Sequence, residues 1–125
     1  MNVVDSCGWL EFLADGPNAA FFEAAITATD ELIVPSITLY EVFKRVLQQR
    51  GETAALASVA LMMQGQVVAF DGPLALEAAR TAVRDGLALA DSGILATARA
   101  HAAVLWTQDS DFAGIAGVRF VPRGP

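Results

Sequence analysis

Val104-Leu105-Trp106-Thr107-Gln108-Asp109-Ser110-Asp111-Phe112 reads as a short apolar strand that runs into a turn rich in Asp and Ser. Near the start, Asn2-Val3-Val4-Asp5-Ser6 has the same form, an uncharged run followed by an acid beside a hydroxyl. Runs this brief and bare of charge suit strands buried on both faces. Leu32 to Val34, Val67 to Phe70 and Arg119 to Val121 are further strand candidates, to set beside Asn2 to Val4 and Val104 to Trp106. Helical patterns separate them: Cys7 to Ala14, Ala19 to Ala28, Ile37 to Arg50, Thr53 to Gln64, Pro73 to Asp85 and Ser92 to His101. This alternation predicts an α/β domain with a mainly parallel sheet.

The punctuation agrees with that division. Pro73 after Gly72 suits a first helical position, and Gly51, Gly65 and Gly86 stand where helices would end. Phe112 to Ile115 reads as a short helix capped by Asp111, and Arg123-Gly124-Pro125 as a frayed end. A length of 125 residues with 54% apolar content predicts one domain over residues 1–125. The longest nearly apolar run, Ala54 to Met63, is broken by Ser58 and falls well short of the roughly 20 residues that span a bilayer. The first residues lack the basic segment of a secretory signal, so the expectation is a cytoplasmic protein with no membrane partner.

Right-handed crossovers bring the carboxyl ends of parallel strands to one sheet edge, where open α/β folds bind ligands. Asp5 follows the first strand directly and Asp109 comes three residues after Trp106, so both belong at that edge. Each has a plain structural reading as well. Asp5 or Ser6 suits the cap of the helix that begins at Cys7, and an acid in a turn such as 107–111 is ordinary. Asp91 falls on the helix face of Ile94, Leu95 and Ala98, the face expected to pack inward, where a carboxylate must cap, keep its proton or bind something. Glu41 lies opposite an apolar stripe of Leu39, Val42, Phe43, Val46 and Leu47, either paired with Arg45 four residues on or bordering a cleft. In the second case Lys44 and Arg45 would stand near substrate phosphates. Thr107 is placed to orient Asp109 by hydrogen bonding.

Gathered together, Asp5, Glu41, Asp91 and Asp109 would make an oxygen-only pocket for a hard divalent ion, which polarises a phosphodiester and activates a water. That chemistry points to a metal-dependent nuclease. The single Cys7 and the single His101 exclude a Cys/His zinc site, an internal disulfide and paired-histidine hydrolysis. His101 reads as a structural residue at a helix end, and Trp9 and Trp106 read as core. The formal charge of −6 runs against nucleic-acid binding until its distribution is considered. Taking the four acids and Asp111 from the fourteen acidic residues leaves nine, against eight basic ones.

Val3-Val4-Asp5-Ser6, Glu41 in an early helix, and Gly86-Leu87-Ala88-Leu89-Ala90-Asp91 running through to Trp106-Thr107-Gln108-Asp109-Ser110-Asp111-Phe112 together resemble the PIN-domain family, in particular VapC-type toxin ribonucleases of toxin–antitoxin pairs. The resemblance implies an α/β/α sandwich around a parallel five-stranded sheet, Mg²⁺ or Mn²⁺ dependence, and endonucleolytic cleavage of RNA. By position Asp5, Glu41, Asp91 and Asp109 match its acidic residues, with Ser6 and Thr107 at hydroxyl positions and Asp111 a looser match. Asp5, Asp91 and Asp109 would hold the metal, and Glu41 a second ion or a water. The resemblance also implies a cognate antitoxin and a homodimer, with the apolar helices of residues 37–64 as contact surfaces. Two other classes remain open: a PIN-like binding module without turnover, and a receiver-like phosphoacceptor, which would need a lysine near the last strand, whereas the only lysine is Lys44.

Overall fold

The computed structural model describes residues 1–124. Five strands, β1 (Asn2–Val4), β2 (Leu32–Pro35), β3 (Gln66–Val68), β4 (Val104–Thr107) and β5 (Val118–Phe120), form one parallel sheet in the order β3-β2-β1-β4-β5. Six α-helices connect or flank them: α1 (Ser6–Leu13), α2 (Ala19–Thr27), α3 (Ser36–Arg50), α4 (Glu52–Met62), α5 (Gly72–Asp85) and α6 (Leu89–Ala100). β1 is the middle strand, with Val3 opposite Ile33 and Leu105, and Val4 opposite Trp106.

The two-residue period of the strands divides the core. Val4, Leu32, Val34 and Trp106 pack with Trp9, Phe22, Val42 and Met62 from α1 to α4. Val3, Ile33 and Leu105, one residue out of phase, pack with Ile94, Leu95 and Ala98 of α6. This is the expected α/β/α sandwich with a parallel five-stranded sheet. It sets the carboxyl ends of β1 and β4 side by side.

Several local expectations are revised. β3 stops at Val68 because the Phe70 N–H donates to the Ser36 hydroxyl (3.0 Å) and its ring packs beside Gly93. Gly65 is no helix cap: α4 ends at Met62 with Met63 as its cap, and a Cβ at Gly65 would come within 2.9 Å of the Leu32 carbonyl. Gly86, by contrast, takes the left-handed conformation expected of a C-cap, at φ 68°. Leu47 is 42% exposed, since α3 buries the stripe of every fourth residue, Thr38, Val42 and Val46. The final short helix is a single turn, Ser110–Phe112, capped by Asp109 and not by Asp111. Of the expected frayed end, Arg123 and Gly124 are tied down: the Asn18 side chain donates to the Pro122 carbonyl (2.8 Å) and Gly124 packs on Pro17, while Pro125 lies outside the described residues.

Gly8 sets how closely α1 approaches the sheet. A Cβ there would meet the Phe22 ring at 2.6 Å and Val4 Cγ1 at 2.8 Å, both in the core. Gly8→Ala is therefore expected to destabilise the fold by about 1–3 kcal/mol, through overpacking that outweighs the helix propensity gained. A lowered urea midpoint at unchanged slope checks this; an unchanged or raised midpoint contradicts it.

Candidate metal centre

β1 ends on Asp5, which caps α1 by accepting from the Ser6 N–H (2.8 Å). Its other carboxylate oxygen accepts from the Thr107 hydroxyl at the end of β4 (2.7 Å) and from the Cys7 thiol (3.3 Å). Asp5 is only 3% exposed. Burial raises its pKa, and the hydrogen bonds from Thr107, Cys7 and Ser6 work against that rise. The cap reading and the site reading thus hold for the same residue.

A line of hydrogen bonds runs outward from Asp5. The Ser6 hydroxyl donates to Glu41 Oε1 (2.6 Å), which turns the α3 carboxylate toward β1. Glu41 is half-buried and makes no salt bridge with Arg45 among the described residues, so the i,i+4 pair is not what it is used for. On the opposite side, the Thr107 oxygen accepts from the Asp109 N–H (2.9 Å), and Asp109 Oδ1 accepts from the Asp111 N–H (2.9 Å). Thr107 therefore orients Asp109 through its backbone while gripping Asp5 directly.

Asp91 enters from α6. The helix opens at Leu89 with Ala88 in the cap position, so Asp91 is a first-turn residue that caps nothing. Burial, and after it the charges of Asp5, Asp109, Glu41 and Asp111, push its carboxyl up to about 7. Oxygens of Asp91, Asp109 and Asp111 lie within 4.8 Å of one another, close enough to share one cation. Asp111 thus stands nearer this group than its sequence position suggested.

Asp5, Ser6, Glu41, Asp91 and Asp109 line one pocket of about 550 Å³. Arg45 borders it, whereas Lys44 lies in the adjoining depression with its ammonium 5.7 Å from the centre of the Tyr40 ring. The receiver-like alternative loses its support here, because Lys44 is the sole lysine and lies on α3, not near the last strand β5. His101 is where expected, at the end of α6 with Nδ1 3.0 Å from the Thr97 carbonyl. Trp9 and Trp106 are core residues, Trp106 donating from Nε1 to Asn2 (2.9 Å).

The donor set suits a hard divalent cation. It consists of carboxylate oxygens, and Cys7, the one soft candidate, is pushed up to about 12 by burial and by Asp5, so it stays a neutral thiol. Neighbouring carboxylates add to burial in raising the Asp91 carboxyl, and a cation relieves that repulsion.

Sequence reasoning missed Cys7, Gln108, Arg50 and Arg123, all of which line the pocket. Gln108 gave no signal as a neutral residue in a polar turn, yet it is 4% exposed and accepts from Asn18 Nδ2 (2.9 Å). Arg50 and Arg123 were read as a helix end and a loose tail.

The sequence profile of the PIN domain matches residues 3–118, and the chain belongs to this family. Among solved structures, the fold is similar to a toxin–antitoxin complex from Klebsiella pneumoniae (TM-score 0.78, 24% identity, covering 95% of this chain and 96% of that one). It is also similar to VapC20 of Mycobacterium tuberculosis, described as a sarcin-ricin loop cleaving toxin (0.77, 17%, 93% and 95%). A third likeness is to DNA-bound VapBC from Salmonella typhimurium (0.72, 19%, 98% of each chain). No curated protein matches by sequence. No helix among the described residues is long and apolar enough to cross a membrane.

The raised Asp91 has a consequence for stability. A carboxyl whose pKa is higher folded than unfolded keeps a proton that the unfolded chain releases, so stability falls as pH rises from about 4 and levels off above about 7. In chelator, Asp91→Asn should therefore be more stable than the wild type at about pH 8 and nearly equal to it at about pH 4. Urea midpoints across that range are the measurement, and parallel curves for the two proteins would contradict the assignment.

Proposed function

We propose that this chain is a divalent-metal-dependent endoribonuclease, the toxin of a toxin–antitoxin pair, which hydrolyses RNA phosphodiester bonds at the acidic pocket. The observation that carries the reading is the convergence of Asp5, Glu41, Asp91 and Asp109 on one pocket, with carboxylate oxygens of Asp91, Asp109 and Asp111 within 4.8 Å of one another, in a PIN fold. Mg²⁺ or Mn²⁺ suits these oxygen donors. Asp91, Asp109 and Asp111 would hold the ion with Asp5 behind them, and Glu41 would face it from α3. When bound, such an ion supplies the positive charge that polarises a phosphodiester and lowers the pKa of water.

The chain's own residues do the positioning. Thr107 and Ser6 are donors of fixed direction, one to Asp5 and one to Glu41, so these two carboxylates are set in place before any cation arrives. No side-chain nucleophile is needed: the Ser6 hydroxyl is engaged with Glu41, and burial holds the Cys7 thiol neutral. Asp5 and Asp91 then act as carboxylates while the attacking group comes from solvent. Leu10, Leu13 and Val46 give one side of the pocket an apolar wall.

Partners follow from the same reading. The similar structures include complexes of a toxin with its antitoxin, and on this chain Tyr40, Leu47, Leu56 and Met63 of the α3–α4 region are exposed apolar residues that suit a cognate antitoxin or a homodimer contact. A cytoplasmic location accords with an RNA substrate.

Asp5→Asn and Asp91→Asn are each expected to lower Mg²⁺-dependent RNA cleavage by more than about a hundredfold. Thr107→Ala and Ser6→Ala, which remove only an orienting hydroxyl, should cost about 10–100-fold. Cleavage of purified RNA with and without chelator measures both. Undiminished activity in the Asp variants rejects the site, and a metal-binding but inactive wild type favours the binding-module alternative.

A further inference from the structure

The eight basic residues fall into three groups. Arg80, Arg84 and Arg99 are ion-paired to Glu77 or Asp85 on α5 and α6. Lys44 lies over the Tyr40 ring and Arg119 over the Trp106 ring, its guanidinium carbon 4.6 Å from the centroid. The remaining three, Arg45, Arg50 and Arg123, make no ion pair among the described residues, and all three line the acidic pocket. They are exposed, whereas Asp5 is buried and Glu41, Asp91 and Asp109 are half-buried. Guanidinium groups that border the pocket of Asp5, Glu41, Asp91 and Asp109 without pairing to these acids are left free for an anionic ligand.

Arg123 reaches the pocket because the segment that carries it is fastened on both sides. The Asn18 amide donates to the Pro122 carbonyl (2.8 Å) and to Gln108 Oε1 (2.9 Å), while the Asn18 N–H donates to Glu11 (2.7 Å). The Val121 N–H donates to the Thr107 carbonyl (3.0 Å), and Gly124 rests on Pro17. Gln108 sits next to Asp109 in sequence and is itself buried in the pocket wall. One amide therefore couples the position of Arg123 to the turn that carries the acids.

We propose that Arg123, held by Asn18 acting as a positioning residue, binds a backbone phosphate of the RNA next to the bond that is cut, together with Arg45 and Arg50 of α3. The proposal rests on the ribonuclease reading above. It supplies the phosphate contacts that the net charge of −6 conceals, since cations borne on two separate segments meet at one mouth. Arginine suits the task because its planar donors grip phosphate oxygens in pairs.

The test is fluorescence anisotropy with a labelled mixed-sequence single-stranded RNA in Mg²⁺ over a series of salt concentrations, every protein carrying Asp91→Asn so that the RNA stays intact, beside cleavage of total bacterial RNA by the proteins without that change. Arg123→Ala should weaken binding by about three- to tenfold and reduce the salt slope by about 0.7, the loss of one phosphate contact on a single strand. Arg123→Lys should restore the slope. Asn18→Leu, with circular dichroism unchanged, should weaken binding similarly and add little to Arg123→Ala in the double variant. Wild-type affinity and slope in Arg123→Ala overturn the proposal, and additive effects of the two variants overturn the part given to Asn18. A wild type that cleaves RNA while Arg123→Ala binds normally removes this inference alone. A wild type that neither binds nor cleaves RNA removes the ribonuclease reading with it.

Discussion

The Thr107 hydroxyl joins the two strand ends on which the site is built. It donates to Asp5 at the end of β1 and accepts from the Asp109 N–H after β4, so one oxygen fixes both a carboxylate and the turn that offers the next. That position follows from the sheet. β1 and β4 are adjacent and parallel, with Val4 opposite Trp106, so the residues that follow them leave the sheet together. An antiparallel neighbour would carry its carboxyl end to the other edge, and the acids would never meet.

Crowding acids at a sheet edge costs stability, and the fold offsets that cost unevenly. Asp5, the most buried, receives three hydrogen bonds that favour its charged form. Asp91 is pushed up by burial and by every neighbouring carboxylate, and it sits in the first turn of α6, where the helix dipole favours negative charge by a fraction of a kcal/mol. That contribution is too small to cancel the repulsion. The pocket is thus built to be uncomfortable when empty, and a cation is the simplest group that relieves it.

Much of this architecture was legible in the sequence because the signals were local. Brief uncharged strands, helical periods, and Pro and Gly at helix ends gave all five strands and six helices, and the sheet-edge argument brought Asp5 and Asp109 together from topology alone. The errors have a common cause in contacts between distant segments. β3 was shortened by a hydrogen bond from Phe70 to Ser36, Gly65 owes its place to the Leu32 carbonyl, and Glu41 was chosen by a serine 35 residues away. Helix caps misled where a residue served two purposes: Asp109 caps the turn that Asp111 was expected to cap, and Asp91 caps nothing because α6 begins two residues earlier.

The C-terminal segment shows the same limit most sharply. Arg123-Gly124 carries no periodicity and no apolar anchor, so its sequence gives no reason to expect order. Its order is conferred from outside, by Asn18 in the α1–α2 loop, a residue whose sequence setting suggests only a turn. Charge was misjudged for the same reason. A count over the chain weighs Arg80, Arg84 and Arg99 equally with Arg45, Arg50 and Arg123, although the first three are neutralised on α5 and α6 and the last three border the acids. For a site that must hold both a cation and a polyanion, the sum of charges carries little information, and the placement of each guanidinium relative to the carboxylates carries most of it.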